Sequence, residues 1–594
     1  MSLPRPSFSA AFPVAAALLL AAPGMNAETL TPEQQRAILE KTATIRLAPS
    51  LAALSAGEYE AVVHLLAVGE IFQRLFEEAR HPQAAELRRG LAGQSREVAD
   101  LFRMFQGPIV TTLDNQRVPL APGIAAEAPG RNLYPAGITA AEIEAFLNRH
   151  PERRAEILGE RTVVRVATAE NLKRDRAALA RHPVVSALQP FLDERLARFE
   201  RGAAGRPAGA PLELYAVPDS VAYADDMVAA QRRLFAAAEA IEKDDPEFAG
   251  YLRNRGRDLL SNDYESGDAA WVTGRFGKLN AQIGSYETYD DALFGVKAFY
   301  AVSLLLRDEA ATAELMRGLG GLQEIEDALP YEPKKRVRAD IPVGVYEVIA
   351  DFGQARGLNT ATILPNDVLF TRRYGRTILL RRNIMLHPEV AAVAARRWKA
   401  AVVPALGELP VAEGNFWRTL WHEIGHYLGP GRTRDGRALD QALQTRADSV
   451  EEMKSDLVSL FAHQRLFEAG KLDPARLAAV QASGILRTLQ DVKPRRDQAY
   501  QVMQLAQFNY FLDRGLLRFG ADDRLELDVA RYPEVVRGLL TEVLELQSAG
   551  DAAAADAFFT RWNEWSERHE KLAERLRAAG GPRFRLVRYG ALGE

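Results

Sequence analysis

The sequence predicts an α+β fold that is predominantly helical and built as two lobes with a cleft, and three observations carry that prediction. The 594 residues exceed the range over which one hydrophobic core keeps growing, so more than one lobe is expected. Beyond His387 the apolar residues recur at three- and four-residue spacings almost to Pro582, the period of amphipathic helices. Strand-like stretches cluster in the middle of the chain, at Ala269 to Phe276, Val337 to Asp351 and Arg376 to Met385, each bounded by Gly, Pro or Asn.

Taken from the N-terminus, residues 1–27 read as a secretory signal. Arg5 supplies the positive start, Ala10 to Ala22 an apolar run, and small and polar residues lead to a cleavage position after Ala27. The run is too short for a spanning helix, so the mature chain is expected in the periplasm or outside the cell, without stable membrane insertion. Pro32 to Phe105 has helical spacing. Gly107 to Ile138 carries five prolines among glycines and reads as a long ordered loop. A second break, Gly202 to Pro211, precedes the strand-like Leu212 to Val217. The tail Arg583 to Tyr589 alternates as one more strand, which predicts interleaved lobes. Residues 28–290 form an N-terminal lobe of helices and strands, 291–336 a helical part of the second lobe, 337–386 strands returning to the first, 387–580 the helical lobe and 581–594 a C-terminal strand.

Composition narrows the chemistry. With 47% hydrophobic and 26% charged residues and a formal net charge of −4, the chain is of ordinary globular type and gives no reason to expect nucleic acid. It has no cysteine, which excludes disulfides, thiolate zinc sites and a cysteine nucleophile. Any metal must be held by nitrogen and oxygen.

Such a site is written in His422-Glu423-Ile-Gly-His426, an H-E-x-x-H segment. Two histidines four apart stand one above the other on a helix face, where both imidazoles can reach one tetrahedral zinc ion. Zinc lowers the pKa of its water to roughly 7, and a carboxylate alongside, Glu423, can take the proton and pass it to a leaving amine. At about 100° per residue, Phe416, Trp417, Leu420, Trp421, Ile424 and Leu428 share one arc and the histidines fall almost opposite. The expectation is a histidine face turned away from the core.

A third ligand is expected from the next helix, Ala447-Asp-Ser449-Val-Glu451-Glu452-Met-Lys-Ser-Asp456. Glu452, Asp456, Ser459 and His463 line one side, and Val450, Met453, Leu457 and Phe461 the other, so a polar stripe is expected to face away from the core. Glu452 is the first choice, with Asp456 or Glu451 as alternatives. The competing reading is local, since Ser449-x-x-Glu452 is a capping box. Glu451 and Asp456 suit a role behind the ligands, orienting an imidazole through its other nitrogen. A third histidine three residues after Gly429, the metzincin pattern, is missing because Arg432 stands there.

These residues resemble the dipeptidyl-peptidase III family, whose members pair a histidine helix with a Glu-Glu-x-x-x-acid helix, here Glu451-Glu452-Met-Lys-Ser-Asp456. The resemblance implies Glu452 as ligand. The commonest family motif has one more residue between the histidines, so this chain carries a shorter variant. Gly357-Leu-Asn359 followed by Pro365-Asn366 is similar to a family stretch whose asparagines bind the peptide's N-terminal portion. Ile283-Gly-Ser-Tyr286-Glu-Thr-Tyr289 looks like the family's Ile-Gly-x-x-Glu-Ser-Tyr strand, with a helix expected after it. The matching segments run from about Leu279 to Leu466. At the positions where the family holds the substrate's amino terminus and supports the transition state, this chain carries Asn280 and Gln282, and Tyr500 stands where the family places a transition-state histidine.

The resemblance implies a helical zinc-binding lobe and a lobe with a small β-sheet or barrel, short peptides bound between them by strand addition, one Zn2+ per chain and a monomer. The expected activity is hydrolysis of short peptides near the N-terminus with Glu423 as general base. The alternatives are a related zinc aminopeptidase or endopeptidase, or a non-catalytic peptide-binding zinc protein.

Overall fold

The structure, a computed structural model, describes residues 29–594 apart from 115, 204–210, 289, 320, 338–341, 358, 359, 365–369, 371, 372, 444, 445 and 495–498. The expected signal segment and both Asn359 and Asn366 lie outside the described residues. No described helix is long and apolar enough to cross a membrane.

The architecture is α+β and predominantly helical. Strand β1 (Thr42–Leu47) leads into α1 (Ala56–Arg80), which opens on a reciprocal cap: the Ser55 hydroxyl accepts from the Glu58 N–H, and the Glu58 carboxylate accepts from the Ser55 N–H. The buried stripe of α1, including Leu65, Val68, Phe72 and Phe76, packs against α2 (Ala224–Ile241) and one face of a five-stranded sheet. Helices α3 (Pro246–Ser261) and α4 (Glu265–Thr273) follow. The sheet consists of β2 (Leu279–Ser285), β3 (Tyr300–Arg307), β4 (Val343–Gly353), β5 (Ala361–Leu364) and β6 (Thr377–Arg381), in the spatial order β2-β3-β4-β6-β5. All neighbours are antiparallel except β4 and β6, which run parallel with Ile378 opposite Val343. Among the described residues, strand β5 is therefore an edge.

The helical part contains α5 (Val411–Gly425), α6 (Ala447–Glu468), α7 (Pro474–Thr488), α8 (Ala499–Asp513) and α9 (Tyr532–Ala549). Helix α5 lies in the angle between α6 and α7, and α6 is covered on its other sides by α8 and α9. One continuous apolar cluster joins the sheet side, through residues such as Val302 and Leu380, to the helical side at Leu420, Leu457 and Leu540. The last strand, β7 (Phe584–Tyr589), pairs in parallel with β1, from Thr42 opposite Phe584 to Leu47 opposite Tyr589. The two chain ends thus make a separate two-stranded sheet.

Several expected elements change identity. Ala269 to Phe276, read as strand-like, is mostly helix α4, because its buried positions Gly267, Asp268, Trp271 and Val272 fall at helical spacing and Asp268 pairs with the buried Arg255. Residues 291–336, read as helical, contain β3, whose Tyr300 to Leu305 are all buried. A fully buried strand shows no polar alternation to mark it. The helix expected after Tyr289 is absent, since the described residues before β3 are turns and extended chain. Arg376 to Met385 divides into β6 and one helical turn, Arg382–Met385.

Candidate metal centre

Helix α5 buries Phe416, Leu420, Trp421 and Ile424 in the core. His426 occupies its C-cap with helical φ and ψ of −64° and −21°, so the i to i+4 stacking with His422 persists to the last turn. Beyond it Gly429 takes φ +80°, a left-handed conformation that L side chains rarely adopt, and Pro430 prevents the helix resuming. The spacing from α5 to α6 depends on Gly425, where an added Cβ would sit 3.0 Å from both Cα and the carbonyl oxygen of Ser455. That approach brings three carboxylates of α6 within reach of the histidines.

Each imidazole is held at Nδ1 by a carboxylate. His422 Nδ1 lies 2.8 Å from Asp456 Oδ1, and His426 Nδ1 lies 2.9 Å from Glu451 Oε1 and 3.0 Å from the Ser455 hydroxyl. With Nδ1 donating to an anion, Nε2 carries the lone pair for a metal. Both Nε2 atoms face Glu452, 3.1 Å from Oε2 for His422 and 4.0 Å from Oε1 for His426. Ligands about 2.1 Å from a tetrahedral ion stand about 3.4 Å apart, and the donor atoms of His422, His426 and Glu452 all lie within 4.8 Å of one another. The donor set fits a zinc ion in composition and spacing.

Electrostatics agree with the fit. Burial disfavours a charged imidazole at His422, yet Asp456 and then Glu452 outweigh it and raise its pKa to about 9 in the metal-free chain. Ligation must therefore displace a proton. Burial also works against the charge on Asp456, but the guanidinium groups of Arg487 and Arg418 hold it well below the usual carboxylate range. Glu451 is likewise driven down against its burial by the ammonium of Lys454 and the bond to His426.

The expectation that the histidine face of α5 and the polar stripe of α6 turn away from the core is corrected. His422 is buried, and so are Asp456, Ser459 and His463 on α6, because this polar side packs into the core with its partners supplied. Arg418 Nη1 donates to Asp456 Oδ1 at 2.6 Å, and the Ser459 hydroxyl donates to the Arg418 carbonyl at 2.8 Å. The capping reading of Glu452 is also excluded. Helix α6 starts at Ala447, which leaves Ser449 inside the first turn and turns the Glu452 carboxylate toward His422.

Glu423 follows His422 on the half-buried side of α5, and among the described residues its carboxylate has no hydrogen-bond partner. Tyr500 opens α8 and donates its hydroxyl to Glu452 Oε1 at 2.9 Å. It thus supports a candidate ligand. Asn280 and Gln282 do not join the site. The Asn280 amide is spent inside the fold, accepting from Trp271 Nε1 at 2.9 Å and donating to the Tyr346 hydroxyl at 3.1 Å, while Gln282 Oε1 accepts from Arg381 at 3.3 Å. Both lie on β2, which is buried along its whole length.

Other residues at the centre were not singled out from sequence. Arg418 had a legible signal, one helical turn before His422 on the same face. Lys454 donates to the carbonyls of Gly425 at 2.6 Å and Leu428 at 2.9 Å, holding the end of α5. Arg487 Nε donates to Asp456 Oδ2 at 2.8 Å, and Gln547 Nε2 to Glu451 Oε2 at 2.7 Å. These two come from α7 and α9, too far along the chain for any local pattern to show.

No family model matches the chain. In sequence it is 28% identical over 367 residues to Nudix hydrolase 3 of Arabidopsis thaliana, a match that covers 59% of this chain and 46% of that protein. The chain thus spans about half the length of that curated relative. In structure it is similar to DPP III from Caldithrix abyssi, with a TM-score of 0.78 and 25% identity over 94% of this chain and 99% of the other. It is also similar to dipeptidyl-peptidase III from Corallococcus sp. strain EGB, with a TM-score of 0.71 and 25% identity over 94% and 97% of the two chains. The likeness spans nearly the whole of both structures as well as of this one, and it supports the resemblance to the dipeptidyl-peptidase III family.

Proposed function

We propose that this chain is a zinc-dependent metallopeptidase that hydrolyses short peptides near their N-terminus. The observation that carries the reading is the convergence of His422 Nε2, His426 Nε2 and Glu452, whose donor atoms lie within 4.8 Å of one another, with Glu423 the next residue after His422 on α5. A structural metal site has no need of such a carboxylate. Zinc bound by these three residues would supply Lewis acidity, lowering the pKa of a bound water to roughly 7 and polarising a scissile carbonyl.

The chain's own groups do the rest. Glu423 takes the proton from the attacking water and delivers it to the leaving amine. Asp456 and Glu451 keep the two imidazoles in the tautomer that presents Nε2. Tyr500 orients Glu452 through its hydroxyl. The peptide adds as a strand along the free edge of β5, which packs against α5, so that backbone pairing admits many sequences. Recognition of the substrate's amino end runs through groups other than Asn280 and Gln282, whose side-chain oxygens already accept from Trp271 and Arg381. We further propose one zinc ion per chain, a monomer, and a periplasmic or secreted location.

Glu423→Gln, assayed for zinc content and for hydrolysis of a peptide mixture by mass spectrometry, is expected to keep the metal and lose turnover. Retained turnover would overturn the mechanism. Comparing free with N-acetylated peptides separates cleavage directed by the amino terminus from an endopeptidase, since only the former fails on blocked substrates.

A further inference from the structure

We propose that Arg487 determines specificity, its guanidinium binding the C-terminal carboxylate of a short peptide in the cleft and thereby favouring free-acid peptides of a few residues. The proposal rests on the metallopeptidase reading above.

Asp456 has more cationic partners than its charge requires. Arg418 bonds it at 2.6 Å, is 4% exposed, and spends its remaining terminal nitrogen on Asn415 and Thr419 at 3.2 and 3.3 Å. His422 bonds the same oxygen at 2.8 Å. Arg487 adds a second guanidinium through Nε alone, at 2.8 Å to the other oxygen, and its side chain is 28% exposed. Neither of its terminal Nη groups donates a hydrogen bond to a described residue. One edge of the fork is anchored and the other is available.

Position assigns the ligand. The charge of Arg487 reaches Glu452 and Tyr500, the candidate ligand and the hydroxyl that holds it. Arg487 and His422 hold opposite oxygens of one carboxylate, which sets the guanidinium a residue length or two from the metal-facing imidazole, where an extended residue spans about 3.5 Å. A carboxylate that ends the peptide one or two residues beyond the scissile bond falls at that distance. The planar guanidinium fork matches a carboxylate bidentately and an amide poorly.

The test uses the zinc-loaded full chain with paired free-acid and C-amidated tripeptides, tetrapeptides and octapeptides, for wild type, Arg487→Met and Arg487→Lys. In the wild type, kcat/KM is expected to fall at least tenfold on amidation of the two shorter peptides and to change little for the octapeptide. Arg487→Met should treat acid and amide alike, with Arg487→Lys between. If Arg487 serves only to hold Asp456, both peptides of a pair slow equally and the ratio survives in Arg487→Met, which overturns the proposal. A wild type indifferent to amidation overturns it as well, and that comparison decides even if Arg487→Met fails to bind zinc. Failure of wild type to cleave any peptide is a different result, because it removes the metallopeptidase reading itself.

Discussion

Asp456→Asn is the sharpest perturbation of the centre. The carboxylate accepts from His422 Nδ1 at 2.8 Å, Arg418 Nη1 at 2.6 Å and Arg487 Nε at 2.8 Å, and all three are donors. A carboxamide has one oxygen, so its NH2 must oppose at least one of them. The cheaper orientation turns the oxygen toward His422 and Arg418 and the NH2 toward Arg487, which can move into solvent. Arg418 cannot follow, being 4% exposed, and it loses its counter-charge. Leaving a buried charge uncompensated costs about 3–5 kcal/mol, and the surviving hydrogen bond places this case near the lower end. His422 also loses the anion that makes it a basic ligand, and loss of such a partner lowers metal affinity about 10–100-fold, or about 1.4–2.7 kcal/mol. The urea midpoint of the metal-free variant should therefore fall with an unchanged slope, and zinc competition against a chromophoric chelator should show the weakened affinity. A zinc Kd within twofold of wild type would refute the role assigned to Asp456, and an unchanged midpoint would refute its role as counter-charge to Arg418.

Three other outcomes are expected. Tyr500→Phe removes the bond to Glu452 Oε1, worth about 0.5–1.5 kcal/mol, so zinc affinity should fall by up to about tenfold in the chelator titration; an unchanged value would mean that the bond is idle. Gly425→Ala sets a Cβ 3.0 Å from the Ser455 backbone, and overpacking of about 1–3 kcal/mol should outweigh the helix-propensity gain of about 1 kcal/mol, lowering the thermal midpoint. A midpoint at or above wild type would show that the two helices can separate. Burial raises Asp219 to about 6 against the bond from the Tyr300 hydroxyl, so the folded chain binds this proton more tightly than the unfolded chain does. That contribution is complete below about pH 4 and lost as pH rises through 6, and the wild type should lose roughly 2–3 kcal/mol relative to Asp219→Asn across that window. Equal urea-midpoint differences at pH 4 and pH 7 would contradict it.

How much of this was legible follows from what a single sequence encodes. His422, Glu423 and His426 were readable because their chemistry needs residues within one helical turn, and Glu451, Glu452 and Asp456 because they share one face of the next helix. The direction of that face was misread. A polar stripe on a helix projection implies solvent only if water is its partner, and here Asp456 is met by Arg418 and Arg487, and Ser459 by a backbone carbonyl. Strand β3 escaped for a related reason, since the buried Ser303 interrupts its apolar pattern while accepting from Arg381 across the sheet. The same burial removed Asn280 and Gln282 from the substrate site, which no alignment of positions along the chain could have foreseen.

The short spacing between the histidines places a structural demand on the end of α5. His426 sits at the C-cap, where carbonyls lack partners and helices fray, yet its ring must hold register with His422 to within a fraction of an ångström for both to bind one ion. Three contacts from separate elements meet that demand. Lys454 donates to the carbonyls of Gly425 and Leu428, its charge favoured at a helix C-terminus. The Gly429 N–H donates to the buried Glu326 at 2.9 Å, and the Tyr427 hydroxyl donates to the Arg376 carbonyl at 3.3 Å, just before β6. Lys454 also pairs with Glu451 at 2.8 Å, the carboxylate that holds His426 Nδ1, so one ammonium fixes both the backbone and the tautomer of the second histidine. Through Tyr427 the sheet side meets the metal centre at the same helix end. Under the proposed strand addition, a peptide on the edge of β5 and the imidazole of His426 would be referred to one frame, which is what a peptidase needs if the scissile bond is to stand at a constant distance from the metal whatever the side chains.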